Sequence, residues 1–168
     1  NEGLGSRHAR VLFLSFANAT VDRIAEHATR QLAREHRHRL EVGTYHSFGW
    51  TILRSHGYLL GAPRGVKIMS QAEQNAFRSH VQDPDTDLRA EFRRQFEMLG
   101  HVGFDDFAGL ANEILTGIPS LLRAYTSAYP LIVLDEFQDT TDDQWALVRT
   151  LGQHSQLVAL GDPDQRIY

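Results

Sequence analysis

Residues 129–168 read YPLIVLDEFQDTTDDQWALVRTLGQHSQLVALGDPDQRIY, and this stretch decides the fold. Two apolar runs, at 131–134 and 157–160, each end abruptly before acidic residues. Between them lies a helical pattern whose expected core residues are Trp145, Val148 and Leu151. Apolar runs without polar alternation are typical of strands buried on both faces of a parallel sheet. The sequence therefore predicts an α/β fold with carboxylates at the carboxyl edge of a parallel sheet, where functional groups gather.

Two adjacent carboxylates, Asp135 and Glu136, follow the first apolar run. On an extended backbone they point in different directions, which suits a division of labour. Asp135 can hold Mg²⁺, usually through water, while Glu136 orients and deprotonates an attacking water. Magnesium takes one or two carboxylates plus substrate phosphates, and phosphoryl transfer depends on positioning and charge neutralisation. The alternative is an ordinary surface Asp-Glu pair that ends a strand.

The second apolar run ends on Gly161, and residues 162–168 follow it. Asp162 and Pro163 also form an ordinary turn pattern. Gln165 is a neutral amide just beyond the predicted strand end, where it can sense a terminal phosphate. Tyr168 offers an aromatic face that can stack on a base, worth about 1–3 kcal/mol, or it can simply pack against the protein.

The composition is that of an ordinary soluble domain: 168 residues, 42% hydrophobic and 23% charged, with a net charge of −4. This charge argues against a generally basic nucleic-acid coat but leaves room for a local binding groove. We expect neither a membrane span nor a signal peptide. The absence of cysteine excludes disulfides and thiolate metal sites and is compatible with a cytoplasmic setting.

The remainder of the chain predicts two further strands and a helical region. A short strand at 10–16 leads into a helix after Asn18, and a strand at 40–43 leads into a helix that reaches about residue 56. Glycine-rich residues 57–65 suggest a boundary, and 70–125 have a helical pattern with no convincing strand. We therefore divide the chain at 1–56, 57–125 and 126–168, with the middle part as a helical insertion.

Residues 135–140 (DEFQDT) resemble motif II of superfamily 1A DNA helicases of the UvrD/Rep/PcrA type, and residues 161–168 (GDPDQRIY) resemble their motif III. Residues 14–18 (LSFAN) are similar to motif Ia, and 42–48 (VGTYHSF) to motif Ib. The four segments occur in the family's order, each at the end of a predicted strand. By position, the helical insertion resembles sub-domain 1B.

The resemblance implies part of a RecA-like (P-loop NTPase) motor domain that uses ATP and Mg²⁺. Asp135 would hold Mg²⁺, Glu136 would be the catalytic base, and Gln165 would contact the γ-phosphate. Gln138, Asp139 and Asp162 would support the nucleotide site. The resemblance implies as partners single-stranded DNA, duplex junctions and the remaining helicase domains of the same protein, with 3′→5′ movement. The residues implied to line the DNA path are Phe16, Asn18, Thr44, His46, Ser47 and Tyr168.

Several of these residues have structural alternatives. Asn18 can be a helix N-cap, His46 a buried histidine, and Phe16 and Phe48 core residues. The sequence also departs from the family pattern, because Ser15 and Ala17 stand where threonines are usual and Arg166 stands where a small residue is common.

The phosphate-binding P-loop pattern, G-x-x-x-x-G-K-[ST], does not occur in these 168 residues. Their one lysine, Lys67, lies in the unrelated context 65–68, GVKI. We therefore expect this chain by itself neither to bind ATP tightly nor to hydrolyse it, since positioning supplies most of the catalysis. An ATPase assay on this chain, compared with one extended at both ends, tests that expectation.

Two other hypotheses compete with the helicase motor. A two-metal nuclease would use Asp135, Glu136, Asp139 and Asp162, whose carboxylates would have to converge on two ions about 3.5–4 Å apart. Alternatively, the chain is a non-catalytic DNA-binding or partner-docking module. Metal-dependent cleavage without nucleotide would favour the nuclease.

Overall fold

The computed structural model describes residues 9–81 and 87–161, and all structural statements below concern these ranges. The strands are β1 (Val11–Ser15), β2 (Leu40–Thr44), β3 (Lys67–Ile68), β4 (His101–Val102), β5 (Leu131–Leu134) and β6 (Gln156–Ala159). The α-helices are α1 (Asn18–Gln31), α2 (Tyr45–His56), α3 (Gln71–His80), α4 (Leu88–Leu99), α5 (Phe107–Gly117), α6 (Pro119–Ala128) and α7 (Asp142–Leu151).

A four-stranded sheet in the order β2-β1-β5-β6 forms the centre of the fold, and every neighbouring pair is parallel. This confirms the predicted α/β class with a parallel sheet. The chain leaves β1 for β2 on one side and returns to β5 on the other side. The strand order therefore reverses between β1 and β5, which is where open α/β sheets bind their ligands, beyond the carboxyl ends of the strands.

The two faces of this sheet differ in burial. Leu12, Leu14, Ile132 and Leu134 are at most 1% exposed and pack with side chains of α2, α5 and α7 in one core. Of the residues that alternate with them along β1 and β5, those at 11, 13, 131 and 133 are only half-buried, whereas Ser15 at the end of β1 is buried. The prediction of burial on both faces is therefore wrong for the described chain, because α1, which contacts β1 and β2, contributes no buried residue.

The helices of the core begin and end where their sequences provide caps. In α2, Thr44 accepts a hydrogen bond from the backbone of Ser47 and the Ser47 hydroxyl accepts one from the backbone of Thr44, a reciprocal capping box. Thr141 and Gln144 form the same arrangement at the start of α7. Val148 and Leu151 are buried as predicted, whereas Trp145 is 38% exposed and packs edge-on against Phe137, so its prediction as a core residue is wrong.

The middle part of the chain contains more than helices. β3 and β4 form a parallel two-stranded ladder in which Lys67 pairs with His101 and Ile68 with Val102. The expectation of no strand within 70–125 is therefore wrong, because a two-residue strand leaves no recognisable pattern. Helix α5 packs against α2 and α7, so it belongs to the core around the sheet. No helix within the described ranges is long and apolar enough to cross a membrane.

Candidate nucleotide site and nucleic-acid groove

The carboxylate of Asp135 is held where the strand order reverses. Its Oδ2 atom accepts a hydrogen bond from the hydroxyl of Ser15 at 3.0 Å, and its backbone N–H donates to the carbonyl of Leu14 at 2.8 Å. Ser15 is the last residue of β1 and is completely buried. The ends of β1 and β5 therefore fix Asp135 at the carboxyl edge of the sheet.

Glu136 has a left-handed backbone, with φ 51° and ψ 42°, and is the one non-glycine residue of the described chain with a positive φ. The expected extended backbone is therefore wrong at this residue. A left-handed glutamate is strained by about 1–3 kcal/mol, and such strain is concentrated at functional sites. The Gln138 side-chain amide donates to Glu136 Oε2 at 2.6 Å. The side chain of Glu136 is thus exposed to solvent, but its carboxylate is held by the hydrogen bond from Gln138.

The segment after Glu136 forms a 3₁₀ turn, Phe137–Asp139, which leads to the cap of α7. The backbone N–H of Asp139 donates to the Glu136 carbonyl at 2.9 Å, and its side chain is exposed. The end of β6 joins this turn, because the Phe137 N–H donates to the Leu160 carbonyl at 3.2 Å. Asp162, Gln165 and Tyr168 lie outside the described residues, so their assigned roles stay predictions.

The carboxylate of Asp135 has the chemistry of a magnesium ligand, and Ser15 engages one of its two oxygens. Within the described part of the chain, no hydrogen bond engages Asp135 Oδ1, and no group of three or more His, Cys, Asp or Glu side chains could form a metal cage. Magnesium often binds through one or two carboxylates in this way.

The hydroxyl group of Tyr45 is buried and has no hydrogen-bond partner among the described groups. Burial, and to a smaller extent the negative charge of Asp135, raises the pKa of Tyr45.

A groove of about 350 Å³ opens beyond the ends of β1 and β2, at the same sheet edge as Asp135. It brings together five of the six residues proposed for the DNA path: Phe16, Asn18, Thr44, His46 and Ser47. Four residues that the sequence analysis did not single out complete the lining: Trp50, Ile68, Phe104 and Phe107. Phe104 and Phe107 come from the middle part of the chain. They lie near His46 only in the folded structure, so no local sequence pattern could have predicted that they share the groove.

Aromatic faces dominate this groove. The rings of His46 and Phe104 are stacked with their centroids 4.0 Å apart and their planes 20° apart, and Phe104 is 48% exposed. Trp50 stacks on Phe107 at 5.4 Å, and Phe16 lies 4.9 Å from the ring of Tyr45. Among the residues that the structure describes, the lining contains neither lysine nor arginine. Stacking, rather than ion pairing, is therefore the main interaction that this surface can offer.

Some of these residues have the purely structural role considered in the sequence analysis, and others do not. Asn18 is the first residue of α1, whose N-cap is Ala17, so the N-cap interpretation of Asn18 is wrong. Phe48 is 5% exposed and belongs to the core. His46 is half-buried, and burial lowers its pKa while Asp105 opposes the shift. Thr44 and Ser47 line the groove and also cap α2, so their structural and binding roles coexist.

Comparison with known proteins gives matches along nearly the whole chain. PcrA, an ATP-dependent DNA helicase of Leuconostoc citreum, is 24% identical over 205 residues, covering 95% of this chain and 27% of its own length. DNA helicase II of Escherichia coli K12 is 26% identical over 225 residues, covering 99% of this chain and 31% of its own length. The putative ATP-dependent DNA helicase YjcD of Bacillus subtilis is 35% identical over 82 residues, or 48% of this chain and 11% of its own length.

The chain spans less than a third of the length of these relatives. The alignment with DNA helicase II is longer than the 168 residues of this chain, so that relative has residues without a counterpart here. The family described as "UvrD/REP helicase N-terminal domain" matches at residues 3–102 and 76–168, two segments that overlap in the middle part of the chain. These matches extend over the parallel sheet, the Asp135–Glu136 edge and the aromatic groove, and the chain belongs to the UvrD/REP helicase N-terminal domain family.

Proposed function

We propose that this chain is part of an ATP-dependent DNA helicase, which couples ATP hydrolysis to movement along single-stranded DNA and to unwinding of duplex. One observation carries the proposal: five residues assigned to the DNA path line a single groove at the sheet edge that also holds Asp135 and Glu136. The helicase names of the relatives support the same function.

Asp135 would hold Mg²⁺ in this proposal, with Ser15 fixing the orientation of its carboxylate. A bound magnesium ion neutralises charge on the phosphates. Glu136 would orient a water molecule and accept its proton as the water oxygen bonds to the γ-phosphorus. The bond between that phosphorus and the β–γ bridging oxygen breaks, which leaves ADP and inorganic phosphate. Gln138 holds the Glu136 carboxylate, and Asp139, Asp162 and Gln165 are proposed to support the nucleotide site.

The aromatic groove would bind single-stranded DNA by stacking on its bases. Every base has a π-face, so such binding tolerates sequence variation, and each stacked base is worth about 1–3 kcal/mol. The exposed face of Phe104, supported from behind by His46, is the best-placed platform. Tyr168 would extend the path. Action at duplex junctions, 3′→5′ movement and cooperation with further domains of the same protein follow from the family resemblance. A cytoplasmic location, with which the absence of cysteine is compatible, completes the proposal.

Replacement of Phe104 by alanine tests the groove. We expect affinity for a fluorescein-labelled oligodeoxythymidylate to fall by about 5- to 100-fold, which corresponds to one lost stacking contact. Fluorescence anisotropy of the complete protein that contains this chain measures the affinity. Met98→Ala is the matched control, because Met98 is 70% exposed and lies outside the groove. Equal affinities of Phe104→Ala and Met98→Ala would contradict the proposed DNA path.

A further inference from the structure

We propose that Gly161 is a positioning residue. Because glycine has no side chain, it leaves room for the side chain of Gln138, and Gln138 in turn holds the carboxylate of Glu136 in place for catalysis. This inference rests on the proposed function of Glu136 as the catalytic base. It assigns a specific task to a glycine that lies at the end of β6 and contacts neither nucleotide nor DNA in the proposal.

Gln138 is the first part of this arrangement. Its Nε2 donates to Glu136 Oε2 at 2.6 Å, a hydrogen bond between an amide and an exposed carboxylate. A solvated glutamate side chain samples several rotamers, so this tether restricts where the carboxylate points. The other end of the amide, Oε1, is buried and has no hydrogen-bond partner among the described groups. The position of Oε1 is therefore set by the space around it rather than by a bond.

Gly161 provides that space. A Cβ atom at residue 161 would lie 2.5 Å from Gln138 Oε1, closer than real contacts allow, while the next nearest atom, the backbone nitrogen of Phe137, would be 3.6 Å away at an ordinary distance. Gly161 is not among the glycines with a positive φ, so alanine is compatible with its backbone. Glycine is therefore required at residue 161 because any side chain there would collide with Gln138.

The backbone around Gly161 is held on both sides. The preceding residue, Leu160, donates its N–H to the Leu134 carbonyl at 2.7 Å and accepts a hydrogen bond from the Phe137 N–H at 3.2 Å. A methyl group at 161 will therefore displace the flexible end of Gln138 sooner than it displaces the strand. Because only a flexible side chain has to move, the fold loses little stability while Glu136 loses its tether. The end of β6 thus acts, through Gln138, on the carboxylate that follows β5.

The structural part of the proposal is tested on this chain by the NMR signals of the Gln138 side-chain amide. In Gly161→Ala we expect these signals to shift to the values of a free glutamine, with the thermal unfolding midpoint essentially unchanged. Gly117→Ala is the matched control, because a Cβ at Gly117 would meet nothing within 4 Å apart from its chain neighbours and the backbone of its own helix. Unchanged Gln138 amide signals in Gly161→Ala would overturn the proposal.

The catalytic part is tested by steady-state ATP hydrolysis in the complete protein with single-stranded DNA. We expect Gly161→Ala to lower kcat at least tenfold, a modest part of what a general base contributes, with KM for ATP unchanged. In a Gln138→Ala background the same substitution should have no further effect, because the group it displaces is already absent. The proposal would be overturned if Gly161→Ala had the same kcat as the unsubstituted protein. It would also be overturned if Gly161→Ala lowered kcat by the full tenfold in the Gln138→Ala background.

Glu136→Gln separates this proposal from the proposed function. If Glu136→Gln abolishes turnover while Gly161→Ala hydrolyses ATP normally, the clearance role of Gly161 is wrong and the catalytic base stands. If Glu136→Gln itself turns over normally, the proposed function fails, whatever the NMR signals of Gln138 show.

Discussion

At the scale of single residues, the site depends on one hydrogen bond between two strands. Ser15 and Asp135 are 120 positions apart in sequence, and their contact sets the orientation of the carboxylate proposed to hold Mg²⁺. The sequence predicts that both residues lie at strand ends, but the bond between them depends on β1 and β5 being neighbours. Strand order is a tertiary property, which no local pattern encodes.

Ser15→Ala should reduce the free energy of unfolding by roughly 1–2 kcal/mol, because it leaves a partly buried carboxylate oxygen without its donor. Ser15→Thr retains a hydroxyl donor at the same place and serves as the control. Urea denaturation of both variants measures the effect. The account of Asp135 is contradicted if Ser15→Ala is as stable as the unsubstituted chain.

His46 should make the stability of the chain sensitive to acid. Burial lowers its pKa below the usual 6.5 in the folded state. As the pH falls below about 6.5, the unfolded chain therefore binds a proton before the folded chain does, and the free energy of unfolding decreases. In His46→Gln this decrease should be smaller between about pH 7 and pH 5. Urea denaturation across this range is the measurement, and an identical decrease in the variant would refute the prediction. Burial shifts the pKa of His56 in the same direction, so part of the decrease remains.

At the scale of secondary structure elements, the start of α2 combines a helix cap with part of the groove. We expect Thr44→Ala to cost about 1 kcal/mol of stability through the lost cap and also to weaken binding of single-stranded DNA. Thr141→Ala removes the equivalent cap of α7, outside the groove, and should lower stability alone. Thermal unfolding and fluorescence anisotropy compare the two variants. Equal DNA affinities would show that Thr44 acts only as a cap.

The elements that the sequence predicts well are those with long apolar runs or clear caps. β5, β6 and α7 follow directly from residues 131–160. The ladder of β3 and β4 escapes prediction, since each strand has two residues and its pairing is non-local. Trp145 fits a helical core pattern, yet it is partly exposed because it packs against the turn at Phe137 rather than under the helix. The left-handed Glu136 is equally invisible, because nothing in the local sequence demands a positive φ there.

At the scale of the whole molecule, one sheet edge serves both proposed ligands. The strand order reverses between β1 and β5, which places Asp135 at the switch point, and the groove lies beyond β1 and β2 on the same edge. Strand β1 belongs to both sites: Ser15 bonds to Asp135, and the next residue, Phe16, lines the groove. Local patterns predict Asp135 and Glu136, and the family resemblance implies the groove residues. Their common edge follows from the parallel direction of the strands, whereas their closeness follows from the order of the strands.

The most direct test of this account is the ATPase activity of Glu136→Gln in the complete protein that contains this chain, measured with saturating single-stranded DNA. We predict that turnover falls by at least 100-fold, in line with the loss of a general base, while DNA affinity measured by anisotropy stays unchanged. Turnover equal to that of the unsubstituted protein would contradict the central claim that Glu136 activates the attacking water. Undetectable hydrolysis in the unsubstituted protein, with DNA binding intact, would instead identify a non-catalytic DNA-binding module.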